Sequence, residues 1–126
     1  MRRFQIAAIT MAFLIFPVQA WAAGLPEGVS VDVVATYASD LPGVEKVELK
    51  KVTLAPGAKL ENFPLESVDF CNSTQGIIRV TDETTGSTTI YAAGSRWQPK
   101  MGHTASISNP GTETHIHWVY AFTLKK

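Results

Sequence analysis

The chain has 126 residues, 45% of them apolar, with 11 basic and 11 acidic side chains and a formal net charge of zero. That length makes one domain with one modest core. The charges form no long runs or basic patch, so neither nucleic acid nor an anionic membrane is expected as a partner. Cys71 is the only cysteine. An internal disulfide is therefore excluded, and a lone thiol in such a domain is expected to be buried rather than reactive.

The first element is a leader. Met1-Arg2-Arg3 gives a positive start, residues 6–16 are apolar apart from Thr10, and Pro17 ends the run before the Ala20-x-Ala22 pair. These are the three parts of a secretory signal, expected to span 1–22 and to leave a mature domain of 23–126. The apolar run is shorter than the roughly 20 residues that cross a bilayer, so cleavage and no stable membrane anchor are expected. The mature protein is then secreted or periplasmic. The arginine pair hints at twin-arginine export, but the residues after it fit that signal poorly. Losing Arg2 and Arg3 leaves nine basic against eleven acidic residues, a charge of −2. Asn72-Ser73-Thr74 fits a glycosylation sequon, of consequence only in a eukaryotic pathway.

After the leader, short strands alternate with turn residues. Residues 30–36 alternate around Val31, Val33 and Val34, and Leu41-Pro42-Gly43 turns into a strand over 44–54. The apolar phase of that strand slips between Leu49 and Val52, which predicts a bulge near Lys50 and Lys51. Ala55-Pro56-Gly57 turns again. Strands follow at 68–71, 76–81 and 88–92, with a Thr- and acid-rich hairpin loop at 82–86. A strand at 104–108 leads into Asn109-Pro110-Gly111, and the chain closes with 114–124. No stretch sustains a helical period, so the expected fold is all-β, a sandwich or a barrel.

Two turn-rich blocks resemble the cupin family, which is recognised by the motifs G-x5-H-x-H-x3,4-E-x6-G and G-x5-P-x-G-x2-H-x3-N. Begun at Gly57, the first motif ends in register on Gly76. Begun at Gly94, the second keeps Gly102 and Asn109 in register. The flanks Ala55-Pro56-Gly57-Ala58, Tyr91-Ala92-Ala93-Gly94 and Asn109-Pro110-Gly111 are also similar. The resemblance covers about residues 44–124 and implies a small cupin-like jelly-roll barrel. Family members bind a metal through the motif histidines and glutamate. Here those slots hold Phe63, Leu65, Asp69 and Ala105, and Lys100 fills the proline slot. Three of the four ligand slots lack a donor atom, whereas a transition metal needs three or four ligands, so no metal or other cofactor is expected.

What remains is a ligand site. Phe63, Leu65, Asp69, Trp97, His103 and Ala105 are expected to line the barrel mouth and bind a small organic molecule, unless the barrel is filled. The expected function is non-enzymatic, ligand binding or assembly, with a homodimer as one arrangement. The alternative is a cupin-type enzyme, oxygenase- or isomerase-like, with Asp69 and His103 as an acid–base pair. His115 and His117 share one face of the last strand. The other face carries Ile116, Trp118, Tyr120, Phe122 and Leu124, and is expected to be the core, turning the histidines outward. No recognised spacing joins Met101, His103, His115 and His117 as a copper site.

Overall fold

The computed structural model describes residues 24–126, so the leader expected over 1–22 lies outside the described residues. Nine strands follow one another: β1 (Val29–Ala38), β2 (Val44–Leu54), β3 (Lys59–Pro64), β4 (Val68–Gln75), β5 (Ile78–Asp82), β6 (Ser87–Tyr91), β7 (Arg96–Trp97), β8 (Thr104–Ser108) and β9 (His115–Leu124). They build a five-stranded sheet, β1-β2-β9-β4-β7, and a four-stranded sheet, β3-β8-β5-β6. Only the β1–β2 and β5–β6 connections stay within a sheet. The others cross between sheets, as a jelly-roll barrel requires. The core between them holds Val29, Val52, Leu54, Ala58, Cys71, Ile78, Ile107, Val119 and Ala121.

The all-β jelly roll is as the sequence leads one to expect, and the expected strands 44–54 and 104–108 coincide with β2 and β8. β3 and β7 went unrecognised. β3 carries a bulge between Leu60 and Phe63, with Asn62 at φ 56° and its backbone N–H donating to Ser106 Oγ at 2.9 Å. The bulge lets Leu60 and Phe63, three residues apart, both pack against the core, so no period of two is visible. β7 is only two residues long.

Two expectations are corrected. The bulge expected near Lys50 lies across the ladder instead, in β1 between Val33 and Ala35. β2 itself runs without a break from Lys46 to Leu54 against β9. Its phase slip therefore marks two apolar faces: Val52 and Leu54 point inward, Val47 and Leu49 outward. The faces of β9 are also the reverse of those expected. His115 and His117 are 0% and 3% exposed, whereas Tyr120 is 50% exposed. Register decides this, because His115 and His117 lie opposite the inward-facing Leu54 and Val52.

The motif turns do structural work. Asn109 is buried, donates Nδ2 to the carbonyls of Leu54 and Glu113, and accepts from the Gly111 N–H, each at 2.9 Å. Its own carbonyl accepts from Gly57 N–H at 2.9 Å, which ties the two motif blocks together. Gly76 has φ 70°, and a Cβ there would stand 2.7 Å from the Thr114 carbonyl oxygen. Gly76→Ala should cost about 2–4 kcal/mol from strain and overlap, read by denaturant unfolding.

Candidate functional site

The inner face of the five-stranded sheet changes character along its length. At one end lie Val29, Leu54, His115 and Ser73, all buried. At the other, the same inward phase sets Glu48 and Asp69 on either side of Ala121, and Lys50 and Cys71 on either side of Val119. Glu48 and Lys50 stay 20% and 25% exposed at their side chains, with Lys50 Nζ 4.0 Å from Glu48 Oε1. Asp69 accepts a 2.6 Å hydrogen bond from Ser67 Oγ. Burial raises its pKa, against the pull of that hydrogen bond and of the Lys50 charge. The barrel is thus closed by apolar packing at one end and carries charge at the other.

The facing sheet supplies the opposite rim. Phe63 and Asp82 are both register partners of Ala105. Leu65 N–H donates to the His103 carbonyl at 3.0 Å, and Gly102 N–H to the Leu65 carbonyl at 2.8 Å. Phe63, Leu65, His103 and Ala105 therefore stand close together on one edge, and Asp69 projects from the other sheet. Leu65 and Ala105 are buried, so they act as walls rather than as contacts reaching into solvent.

The expected acid–base pair of Asp69 with His103 is not assembled. His103 Nδ1 lies 2.7 Å from Asp82 Oδ2 instead. The His103 contact is the largest influence holding the Asp82 carboxyl below its usual range. Asp82 Oδ1 also accepts from the N–H groups of Thr84 and Thr85, at 2.9 and 3.1 Å. Asp82 was missed because it opens a hairpin loop, where an aspartate reads as a turn former. Glu48 and Lys50 were missed for a different reason: only the register of β2 shows that they face inward.

Trp97 is the register partner of Cys71, and its side chain reaches toward the closed end. Its Nε1–H donates to Ser73 Oγ at 3.2 Å, Tyr91 stacks on it at 5.2 Å, and the His117 ring centre is 5.0 Å away. His115 Nε2 and His117 Nδ1 share a 2.8 Å hydrogen bond. Burial pushes the pKa of His117 down to about 3 and also lowers that of His115, so both rings are neutral at ordinary pH. His115 Nδ1 has no hydrogen-bond partner among the described residues. Cys71 is buried as expected, and burial, with the Asp69 charge, raises its pKa and holds it as the thiol.

No family model and no curated protein matches this sequence. Solved structures do match its fold. A cupin 2 conserved barrel domain protein from Salinispora arenicola superposes with a TM-score of 0.59 at 16% identity, over 87% of this chain and 89% of that one. An RmlC-like cupin with a double-stranded β-helix fold from Methanocaldococcus jannaschii gives 0.64 at 13% identity, over 79% and 84%. The chain has the cupin fold. Recombinant oxalate oxidase in complex with glycolate is also similar, with a TM-score of 0.62 at 17% identity over 82% of this chain. This cupin barrel spans 55% of that longer protein.

Cupins commonly carry a metal in the barrel, and the residues here do not fit one. Phe63, Leu65 and Ala105 offer no donor atom, and Asp69 is engaged by Ser67. Among the described residues no three His, Cys, Asp or Glu side chains cluster as ligands could. The buried histidine pair does not substitute, because its two facing nitrogens are hydrogen-bonded to each other.

Proposed function

We propose that this cupin-fold protein is exported, metal-free and non-enzymatic, and that it binds a small organic molecule at the charged mouth of its barrel. The observation that carries the reading is the convergence of Asp69, Glu48 and Lys50 on an inner face whose facing rim is Phe63, Leu65 and Ala105. Ligand sites are mostly apolar concavities with a few placed polar groups, and this rim has that composition. A ligand with an apolar ring or chain would lie on Phe63 and Leu65. Its amine or hydroxyl would reach Asp69, whose half-buried carboxyl gains from a partner.

A thermal-shift screen of small metabolites tests this, run on wild type and on Ala105→Trp, which fills the mouth. A ligand at ten times its Kd adds about 1.4 kcal/mol, a shift of about 5–10 °C in a domain of this size. The shift should vanish in Ala105→Trp and shrink in Asp69→Asn. Hits that stabilise all three proteins equally place the ligand elsewhere. Export has its own measurement: intact mass of the exported protein should show a chain beginning near Ala23, and a full-length chain held in the membrane contradicts it.

A further inference from the structure

The outward face of β9 and its neighbours is apolar across four strands. Register places Tyr37, Val47, Phe122 and Val68 in one row, and Ala35, Leu49, Tyr120 and Phe70 in the next. Tyr37, Phe70 and Tyr120 are 56%, 48% and 50% exposed. A third row reads Asp32, Lys51, Trp118, Asn72 and Arg96 from one edge of the sheet to the other. Aromatic side chains gathered on one open face are unusual for a lone domain, whose apolar patches seldom exceed a few hundred Å². We propose that a second copy of this chain covers the face, packing sheet on sheet about a two-fold axis along β9.

Three features select a second copy as the occupant. The first is area. Four strands of eight to eleven residues and the two-residue β7, about 4.8 Å apart at roughly 3.4 Å per residue, give a face of about 670 Å², within the range that each partner of a stable complex contributes. The second is charge. β9 is the central strand, so a two-fold along it sets Asp32 at one edge against Arg96 of the second copy at the other, twice. Both residues are exposed, and neither forms an ion pair with a described residue. The third is shape. Beside β7 run two adjoining grooves that share Gln98. One, of about 490 Å³, is walled by Phe70, Tyr120 and Arg96, and the other, of about 390 Å³, by Val68 and Met101. The same axis brings the β1 edge of the second copy, with its protruding Tyr37, over these grooves. The face is therefore self-complementary, as an isologous interface must be.

Sedimentation velocity across the micromolar range tests the proposal. Wild type should be a dimer. Tyr120→Glu should raise the dimer dissociation constant at least ~100-fold while the β-sheet circular dichroism is kept. Asp32→Arg and Arg96→Asp should each weaken the dimer about tenfold, and the two combined should restore it. Should Tyr120→Glu fail to fold, the charge-reversal set decides alone, because both positions are solvent-exposed. A wild type that stays monomeric overturns the proposal, and its apolar face then belongs to a different partner. A dimer that survives Tyr120→Glu, or single reversals that leave association unchanged, also overturns it.

Discussion

Replacing His117 with alanine should destabilise the domain by about 3–5 kcal/mol, more than replacing Trp118. His117 is 3% exposed and packs on Trp97. It is also the hydrogen-bond partner of the fully buried His115. Truncating it opens a cavity and strands a buried imidazole nitrogen, and each effect alone costs about 1–3 kcal/mol or more. Trp118 stands on the outer face, half-buried, with Lys51 Nζ 5.9 Å from its ring centre. Trp118→Ala should cost about 1–2 kcal/mol. Urea unfolding of the two variants, at matched protein concentration, gives the comparison directly. Equal losses would mean that the histidine pair contributes no more than exposed packing does.

Acid should unfold the protein through the same pair. The ordinary imidazole pKa is 6.5, and burial holds His117 at about 3 in the fold. Between those values the unfolded chain binds a proton that the folded chain refuses. The stability is therefore fully present above pH 6.5 and is lost as pH falls toward 3, by up to about 1.4 kcal/mol per pH unit for this group. His115 is lowered for the same reason and adds in the same direction. Asp69 opposes them. Its pKa is raised by burial, so lowering the pH through that value relieves a buried charge and favours the fold. Asp82, lowered by His103, loses its contribution only at the acid end. Melting temperature measured from pH 8 to pH 4 should be flat above about 6.5 and decline below it. His115→Gln/His117→Gln, which cannot titrate, should lose most of the decline. A decline of unchanged slope in that variant would assign acid sensitivity to other groups.

The sequence alone carried the cupin-like jelly roll, because glycine, proline and asparagine turns report on the chain locally. Gly76 needs a positive φ where a Cβ would meet the Thr114 carbonyl, and Asn109 satisfies a turn with its own side chain. It also carried the empty ligand set, since Phe63, Leu65 and Ala105 have no donor whatever their geometry. Motif spacing put Phe63, Leu65 and Ala105 near one another, and the structure pairs Phe63 with Ala105 and joins Leu65 to the His103 carbonyl.

Only tertiary structure decided which way each strand faces. A period of two divides β9 into two faces but does not say which is inside, and the more apolar face was the natural choice. The inner face is the one with two histidines, because register against Val52 and Leu54 of β2 puts them there and their mutual hydrogen bond makes burial tolerable. The same blindness turned the two-faced apolar pattern of β2 into an expected bulge and hid the inward Glu48 and Lys50. It also paired His103 with Asp69, when the β5–β8 ladder brings Asp82 to the rim where His103 meets it. Turn chemistry is local and can be read from neighbouring residues. Facing, register and the partner of a charge depend on which strand lies alongside, and in this barrel that strand is often dozens of residues away in sequence.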